Sequence, residues 1–224
     1  MLPQYDNSSV YWFDFIHAVT LPFKCNGNKR YLFVNVYNDR LTNGVASVTY
    51  NGVTMSLLKT QQFPTAPTRE IKLYGLQNPA SGINNIIVTA TGTYIKGCLG
   101  VLSCYNTDGL RDTASKADDQ SGSGNINIDV PSLNRDMTVD FLAAQIQGTI
   151  TPYTGQTERY RGQSDINFLL GSDKKSTGNP TNMRWDLVPS TAWEAGIIAA
   201  SLKPSGTTGG GNFRFPIIAN RRFL

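Results

Sequence analysis

Few side chains in this sequence could perform acid–base or nucleophilic chemistry. The single histidine, His17, lies in an alternating aromatic segment, and a Ser-His-Asp or Cys-His arrangement would have to use it. The three cysteines, Cys25, Cys98 and Cys104, are odd in number and contain no C-x-x-C pair, which argues against a disulfide framework and a zinc site. Cys98 and Cys104 fall in one strand-like run, too far apart to bridge each other. We therefore expect buried thiols and a packed, non-catalytic histidine.

The carboxylates are densest in one polar stretch, residues 107–123, which holds Asp108, Asp112, Asp118 and Asp119. Their spacing does not match the D-x-D-x-D-G calcium loop, so we expect a long solvated loop, with an irregular calcium site as the alternative. A glycosidase pair is defined by distance in space, and the sequence singles none out. The prediction from these residues is a protein that is not an enzyme and has no metal or cofactor.

Five aromatic residues could stack on a sugar ring: Trp12, Tyr153, Tyr160, Trp185 and Trp193. Trp185 alternates with two apolar residues, so we expect it in the core. Tyr153 and Tyr160 belong to the polar segment TPYTGQTERYRG and are expected to be exposed. These two tyrosines are the candidate glycan-binding residues.

The composition indicates a turn-rich β protein without a nucleic-acid or membrane partner. Charged residues make up only 16% of the chain, and the net charge of +4 is too weak to indicate direct nucleic-acid binding. No apolar run approaches the ~18 residues of a membrane span. The N-terminal MLPQYDNSSV lacks the features of a secretory signal, so we expect the protein to be made and folded in a cytoplasm.

The chain is organised around two strand-like runs within residues 84–106. The second run is apolar on both faces, with Leu99 and Val101 on one face and Cys98 and Leu102 on the other. Such a strand must be covered on both faces, so it is predicted to be central in a sheet. A hairpin is predicted at Asn51-Gly52, because both residues accept the positive φ of a type I′ turn. Its expected buried side chains are Ala46, Val48, Tyr50, Val53, Met55 and Leu57.

The whole pattern comprises about thirteen strands at the spacing of a sandwich or barrel, with no helical period and no repeat of fixed period. We predict an all-β, two-sheet antiparallel β-sandwich with jelly-roll-like topology and extended terminal arms. The expected divisions are an N-terminal arm (1–9), the sandwich domain (10–203), and a flexible linker with a C-terminal docking arm (204–224).

The C-terminal segment combines apolar and cationic residues after the Gly-rich linker SGTTGGGN. Large apolar side chains are costly to leave in water, at ~1.5–3 kcal/mol each when they are buried instead. We therefore predict that the segment docks on a neighbouring subunit or on a larger assembly. The predicted partner-binding residues are Phe213, Arg214, Phe215, Ile217, Ile218, Arg221, Arg222 and Phe223.

Several motifs carry a family resemblance that covers roughly residues 30–203. SVTYNGVTMSLL is similar to an "SVTYGG-x-x-L" hairpin, and EIKLYGLQNPASGINNIIVTATG is similar to an "ELWYL-x-NPPSGTxTVTVT" segment. GVLSCYNTDGLRDT, GQTERYR and WEAGIIAASLKP resemble "VSFSGVDQTTP", "GQTxRW" and "WAxAAVALKP", with Cys-Tyr replacing Ser-Gly in the first of these. Together they resemble a β-sandwich module that recurs in tailed-phage virion proteins and bacterial surface proteins. The resemblance implies a structural or adhesive part and carries over no catalytic residue.

These observations favour a phage virion structural protein, and most specifically a head decoration or cement protein that stabilises the major capsid shell. We expect it to form a homo-oligomer, with a trimer favoured. Its expected partner is the major capsid protein or another virion protein. Its expected location is the virion, which is assembled in the host cytoplasm. The alternative is a glycan-binding module of a phage tail, baseplate or surface adhesin.

Overall fold

The computed structural model describes residues 1–39, 44–65, 69–120, 122–189 and 192–206. Within these ranges every regular element is a β-strand, which confirms the predicted all-β class. Over the same ranges there is no helix of the length and apolarity that a membrane crossing requires.

The first half of the chain forms nine strands. They are β1 (Gln4–Ile16), β2 (Ala18–Cys25), β3 (Tyr31–Asn38), β4 (Val45–Tyr50), β5 (Val53–Thr54), β6 (Ser56–Gln62), β7 (Glu70–Gln77), β8 (Gly82–Ala90) and β9 (Ile95–Tyr105). Eight more follow: β10 (Thr107–Gln120), β11 (Gly124–Val130), β12 (Met137–Gln145), β13 (Gly148–Pro152), β14 (Thr157–Ser164), β15 (Asn167–Lys175), β16 (Thr181–Pro189) and β17 (Trp193–Pro204).

The strands form four antiparallel sheets, two from each half of the chain. The first inner sheet has the order β1-β9-β3-β7-β6 and the second inner sheet the order β10-β17-β12-β15-β14. The first outer sheet is β2-β8-β4-β5 and the second outer sheet is β11-β16-β13. Apart from the two-residue β5, each strand of one half has a counterpart at the same place in the other. The two halves therefore share one connectivity, which no repeated sequence period predicts.

The two inner sheets pack on each other in a reciprocal way. Edge strand β1 of the first half lies against β14 of the second half. The equivalent strands are β10 and β6, and they lie against each other in the same way. The contacts between β9 and β15 are matched in the same manner by those between β17 and β7. The halves are thus related by an approximate two-fold axis that passes through the interface between the inner sheets.

Three apolar cores separate the four layers. The first lies between the first outer and first inner sheets and includes Val34, Tyr50 and Val101. The second joins the two inner sheets and includes Phe33 and Phe141, whose ring centroids are 5.6 Å apart. The third lies between the second inner and second outer sheets and includes Trp185, Leu142 and Ile197.

The prediction of a two-sheet sandwich is wrong in its number of sheets. Strands β3, β9, β12 and β17 are each apolar on both faces, and two sheets alone would leave one face of each strand in water. Stacking two sandwiches covers both faces of all four strands. The prediction that the 95–105 strand is central in its sheet and covered on both sides is confirmed.

Two segments predicted to be irregular are strands. Residues 4–9, expected in an N-terminal arm, begin β1, where Gln4 pairs with Tyr105. Most of the polar segment 107–123, expected to be a loop, is β10, which pairs along its length with β17. Both strands lie at sheet edges, where one side of the strand remains open to solvent and polar side chains are tolerated.

The Asn51-Gly52 hairpin is confirmed, with φ values of 51° and 75°. Its buried set is only partly as predicted. Val48, Tyr50 and Met55 are buried, whereas Val53 and Leu57 are 54% and 52% exposed. β5 is only two residues long, and the chain passes to the first inner sheet after it, so the alternation expected of two long hairpin strands does not continue.

Candidate functional site

A wide cleft lies at the end of the molecule where β17 begins. Three strands of the second inner sheet reach this end with Gln120, Glu194 and Gln145. The cleft has a volume of about 750 Å³, within the usual range for ligand sites. Its lining residues are Thr65, Asp119, Gln120, Gln145, Ile146, Gln147, Ile166, Ala192, Trp193 and Glu194.

A single arginine ties the two halves of the protein together beside this cleft. Arg69, which directly precedes β7, donates from Nε to Asp39 Oδ1 at 2.9 Å. Its Nη1 donates to Gln145 Oε1 at 2.6 Å and to Glu194 Oε2 at 3.3 Å. The Glu194 carboxylate also accepts the backbone amide of Thr65 at 3.1 Å. Because Arg69 engages both inner sheets, this network fixes their relative position at the cleft.

The cleft has an apolar base and a polar, acidic rim. Ile146 and Trp193 are almost fully buried, and the indole Nε1 of Trp193 donates to the carbonyl of Gly122 at 3.0 Å. Asp119 lies directly opposite Glu194 in the sheet, so the two carboxylates point to the same face. Within the part of the chain that the structure describes, the exposed Asp119 carboxylate forms no ion pair. This arrangement suits a ligand with apolar and cationic groups.

The opposite end of the molecule is rich in cations. A second cleft there, of about 400 Å³, includes Arg135, Arg159 and Lys175 among its lining residues, together with Asp136 and Asp173. Both carboxylates already accept hydrogen bonds from arginines. Asp173 accepts from Arg159, and Asp136 accepts from Arg111 in β10. The two clefts therefore differ in charge, with Asp119 and Glu194 in one and Arg135, Arg159 and Lys175 in the other.

Tyr160 does not have the exposure predicted for a glycan-binding residue. It is 7% exposed in the core between the inner sheets, and burial raises the pKa of its phenol well above the usual value. Glycines on two neighbouring strands leave the space for its ring. Tyr153 is 42% exposed as predicted, but the guanidinium of Arg184 lies over its ring, 4.5 Å from the centroid. One face of Tyr153 is thus already covered.

The three cysteines are buried as the sequence predicts, whereas His17 is exposed and is not packed as predicted. His17 lies at the bend between β1 and β2, where its Nδ1 is 3.0 Å from the carbonyl oxygen of Gly92. Cys25, Cys98 and Cys104 are buried free thiols, and burial raises the pKa of each. Neither type of residue has the surroundings of a nucleophile.

The aspartates of residues 107–123 are spread along β10 and do not converge. Asp108 pairs with Lys29 at 3.5 Å and Asp118 with Lys116 at 3.7 Å. In the described ranges no group of three potential metal ligands occurs. These contacts place Asp108 and Asp118 along the edge strand β10.

Trp185 is fully buried as predicted, and it belongs to a polar group inside the third core that the sequence does not reveal. Its Nε1 donates to Asp140 Oδ2 at 2.9 Å, and Ser172 donates to Asp140 Oδ1 from its hydroxyl at 2.7 Å and its amide at 3.0 Å. Burial raises the pKa of Asp140 to about 7, although these hydrogen bonds oppose the shift.

The eight predicted partner-binding residues, Phe213 to Phe223, lie outside the described residues. Sequence reasoning missed Arg69, Gln145 and Glu194, the residues that build the cleft. The available signal was a polar residue at the end of an otherwise apolar strand, as Glu194 is in β17 and Gln145 is in β12.

Comparisons of this chain with protein-family models, with curated proteins and with solved structures found no match.

Proposed function

We propose that this protein is a non-enzymatic structural component of a tailed-phage virion, most specifically a decoration or cement protein of the head. The supporting observation is that the described residues form three stacked apolar cores. A four-layered body of this kind is a self-sufficient rigid module. Its C-terminal segment is then available to hold it on a larger assembly.

We propose that each half is a jelly roll. The order β1-β9-β3-β7 beside β2-β8-β4-β5, with its equivalent in the second half, supports this reading. We propose that the protein is a tandem of two jelly rolls that pack through their larger sheets. The fold is shared by proteins of many functions, so it supports a structural role without specifying one.

The docking segment supplies the proposed attachment. Residues 207–224 contain Phe213, Phe215 and Phe223 as apolar anchors and Arg214, Arg221 and Arg222 as partners for carboxylates. Binding would order this segment at an entropic cost, which many copies on one shell offset through avidity. The proposed partners are the major capsid protein and neighbouring copies in a small oligomer, with a trimer favoured.

The test is binding to particles of the phage that encodes the protein. Particles that lack it should bind the purified full chain, and the variant with Arg214, Arg221 and Arg222 all changed to Glu should not co-sediment with them. Changing Lys24, Lys59 and Lys116 to Glu alters the net charge equally and should leave binding intact. Equal binding by both variants, or absence of the protein from purified particles, would refute the proposal.

The glycan-binding alternative has one supporting observation, the exposed ring of Tyr153 with Arg184 above it. Stacking on a sugar would require Arg184 to move or the sugar to use the other face. A glycan array probed with the full chain and with Tyr153→Ala tests it. Binding that is lost in this variant would favour the adhesin, whereas no binding would remove this alternative.

A further inference from the structure

We infer that Phe213-Arg214-Phe215 of one copy binds in the acidic cleft of a second copy, so that the protein assembles head to tail. This inference rests on the proposed role of the C-terminal segment as a docking arm, and it names the surface that receives the arm. The cleft is the one lined by Asp119, Glu194 and Trp193 at the start of β17.

Charge favours the acidic cleft as the binding site. Residues 207–224 carry three arginines and no acidic side chain. The acidic cleft presents Asp119, whose carboxylate has no ion-pair partner in the described part of the chain, opposite Glu194, which pairs with Arg69. The cleft at the other end presents Arg135 and Lys175 beside the Arg159–Asp173 pair, and these cations would repel an arginine-bearing segment.

The shape and polarity of the cleft also fit the arm. A segment in which arginine alternates with phenylalanine needs an apolar surface beside carboxylates. The cleft offers the half-buried Ile166 and the exposed Ala192 over a buried base of Ile146 and Trp193, beside a rim of Asp119 and glutamine side chains. Glutamine amides can also form hydrogen bonds with the backbone of an extended segment. The cleft therefore fits a peptide that is apolar and cationic.

The reach of the chain decides whether Phe213-Arg214-Phe215 binds its own copy or another copy. β17 has 12 residues, so its two ends are roughly 35–40 Å apart. The acidic cleft is at its Trp193 end, and the chain leaves the body at its Pro204 end. Phe213 is seven Cα–Cα steps beyond Gly206, a distance of at most ~25 Å. Phe213 and Arg214 therefore fall short of the cleft on their own copy.

The chain is also anchored where it leaves the body. The Ser205 amide donates to the carbonyl of Asn106 at 2.8 Å, and the N-terminal amine donates to the carbonyl of Ser205 at 2.7 Å. The arm thus departs from a fixed point on the cationic end. Joining the cationic end of one copy to the acidic end of the next is a heterologous contact, which closes into a ring when the rotation between copies permits.

A mixing experiment tests this arrangement with full-length chains. Asp119→Arg prevents the cleft from binding an arm and leaves the arm unchanged. Arg214→Glu prevents the arm from binding a cleft and leaves the cleft unchanged. By light scattering coupled to size exclusion, the parent should be oligomeric, each variant alone should be monomeric, and an equimolar mixture should give a one-to-one dimer and nothing larger. Combining both substitutions in one chain should restore assembly through the exchanged charges.

Two matched controls accompany these variants. Asp112→Arg makes the same charge change on the same strand but near the other end, and Arg222→Glu makes the arm change outside the anchoring tripeptide. Both should retain the parent's oligomeric state. A monomeric parent, or a mixture that gives no dimer, would overturn the inference.

Failure of this inference can be told apart from failure of the proposed function. If Asp119→Arg and its mixture behave like the parent while the arm remains necessary for particle binding, the arm docks elsewhere and the virion role stands. If the mixture gives the dimer but no particle binds the protein, head-to-tail assembly stands and the virion role fails.

Discussion

Tyr160 of β14 occupies a slot that Gly100 of β9 leaves open across the interface between the two inner sheets. A Cβ atom added to Gly100 would lie 2.6 Å from Cζ of Tyr160, and one added to Gly171 would lie 2.7 Å from the same atom. The ring is thus held between a glycine from each inner sheet. It cannot move away from one glycine without meeting the other, so the fit constrains how closely the halves approach.

Gly100→Ala should destabilise the protein through this contact. Overpacking of a close-packed core costs ~1–3 kcal/mol, so we expect the free energy of unfolding to fall by that amount in urea denaturation. Adding Tyr160→Phe removes the hydroxyl nearest to the new methyl group, and the double variant should lose less than the sum of the single losses. Gly178→Ala, which meets no atom within 4 Å, is the control and should be near neutral. An unchanged stability in Gly100→Ala would contradict this packing.

The Arg69 network should make a measurable contribution to stability. Arg69→Met removes the guanidinium that lies 3.3 Å from the largely buried Glu194 carboxylate, and we expect a loss of about 1–3 kcal/mol in the free energy of unfolding. Adding Glu194→Gln should recover part of this loss. The control Lys116→Met breaks a more exposed pair with Asp118 and should cost less than ~1 kcal/mol. Equal losses in Arg69→Met and Lys116→Met would contradict the assigned role.

Asp140 should make stability fall as pH rises towards neutrality. Its pKa is about 7 in the folded protein, above the ~3.9 of an unfolded chain. Between these values the folded state holds a proton that the unfolded state has lost, so this group's stabilising contribution is complete below about pH 4 and is lost as pH rises through about 7. Asp140→Asn should remove this pH dependence. We expect the unfolding free energy of the variant, relative to the parent, to increase from pH 5 to pH 8, and a constant difference would refute the assignment.

Removal of residues 207–224 should leave the body folded. The described members of the three cores all precede Pro204, where the last described strand ends. A chain of residues 1–206 should have a melting temperature within about 3 °C of the parent, since a difference below 1 kcal/mol moves a domain of this size by a few degrees at most. Loss of the cooperative transition would show that the C-terminal segment belongs to the body.

Individual strands could be predicted because local alternation reports which faces are covered. β9 is apolar on both faces, and its central position follows from that pattern alone. β1 and β10 gave weaker signals, because an edge strand tolerates polar residues on its open side. The cleft could not be predicted, since Arg69, Gln145 and Glu194 are far apart in sequence and meet only when the inner sheets stack.

The sequence by itself determined the all-β class, the type I′ hairpin at Asn51-Gly52, the buried cysteines and the apolar, cationic character of the C-terminal segment. Each of these depends on residue type, on period or on a turn of a few residues. Tertiary structure alone decided that two sandwiches of matching connectivity stack through their inner sheets, and that Tyr160 is buried between them. The physical reason is that an apolar strand face predicts that it will be buried. Which sheet buries it depends on contacts between residues distant in the chain.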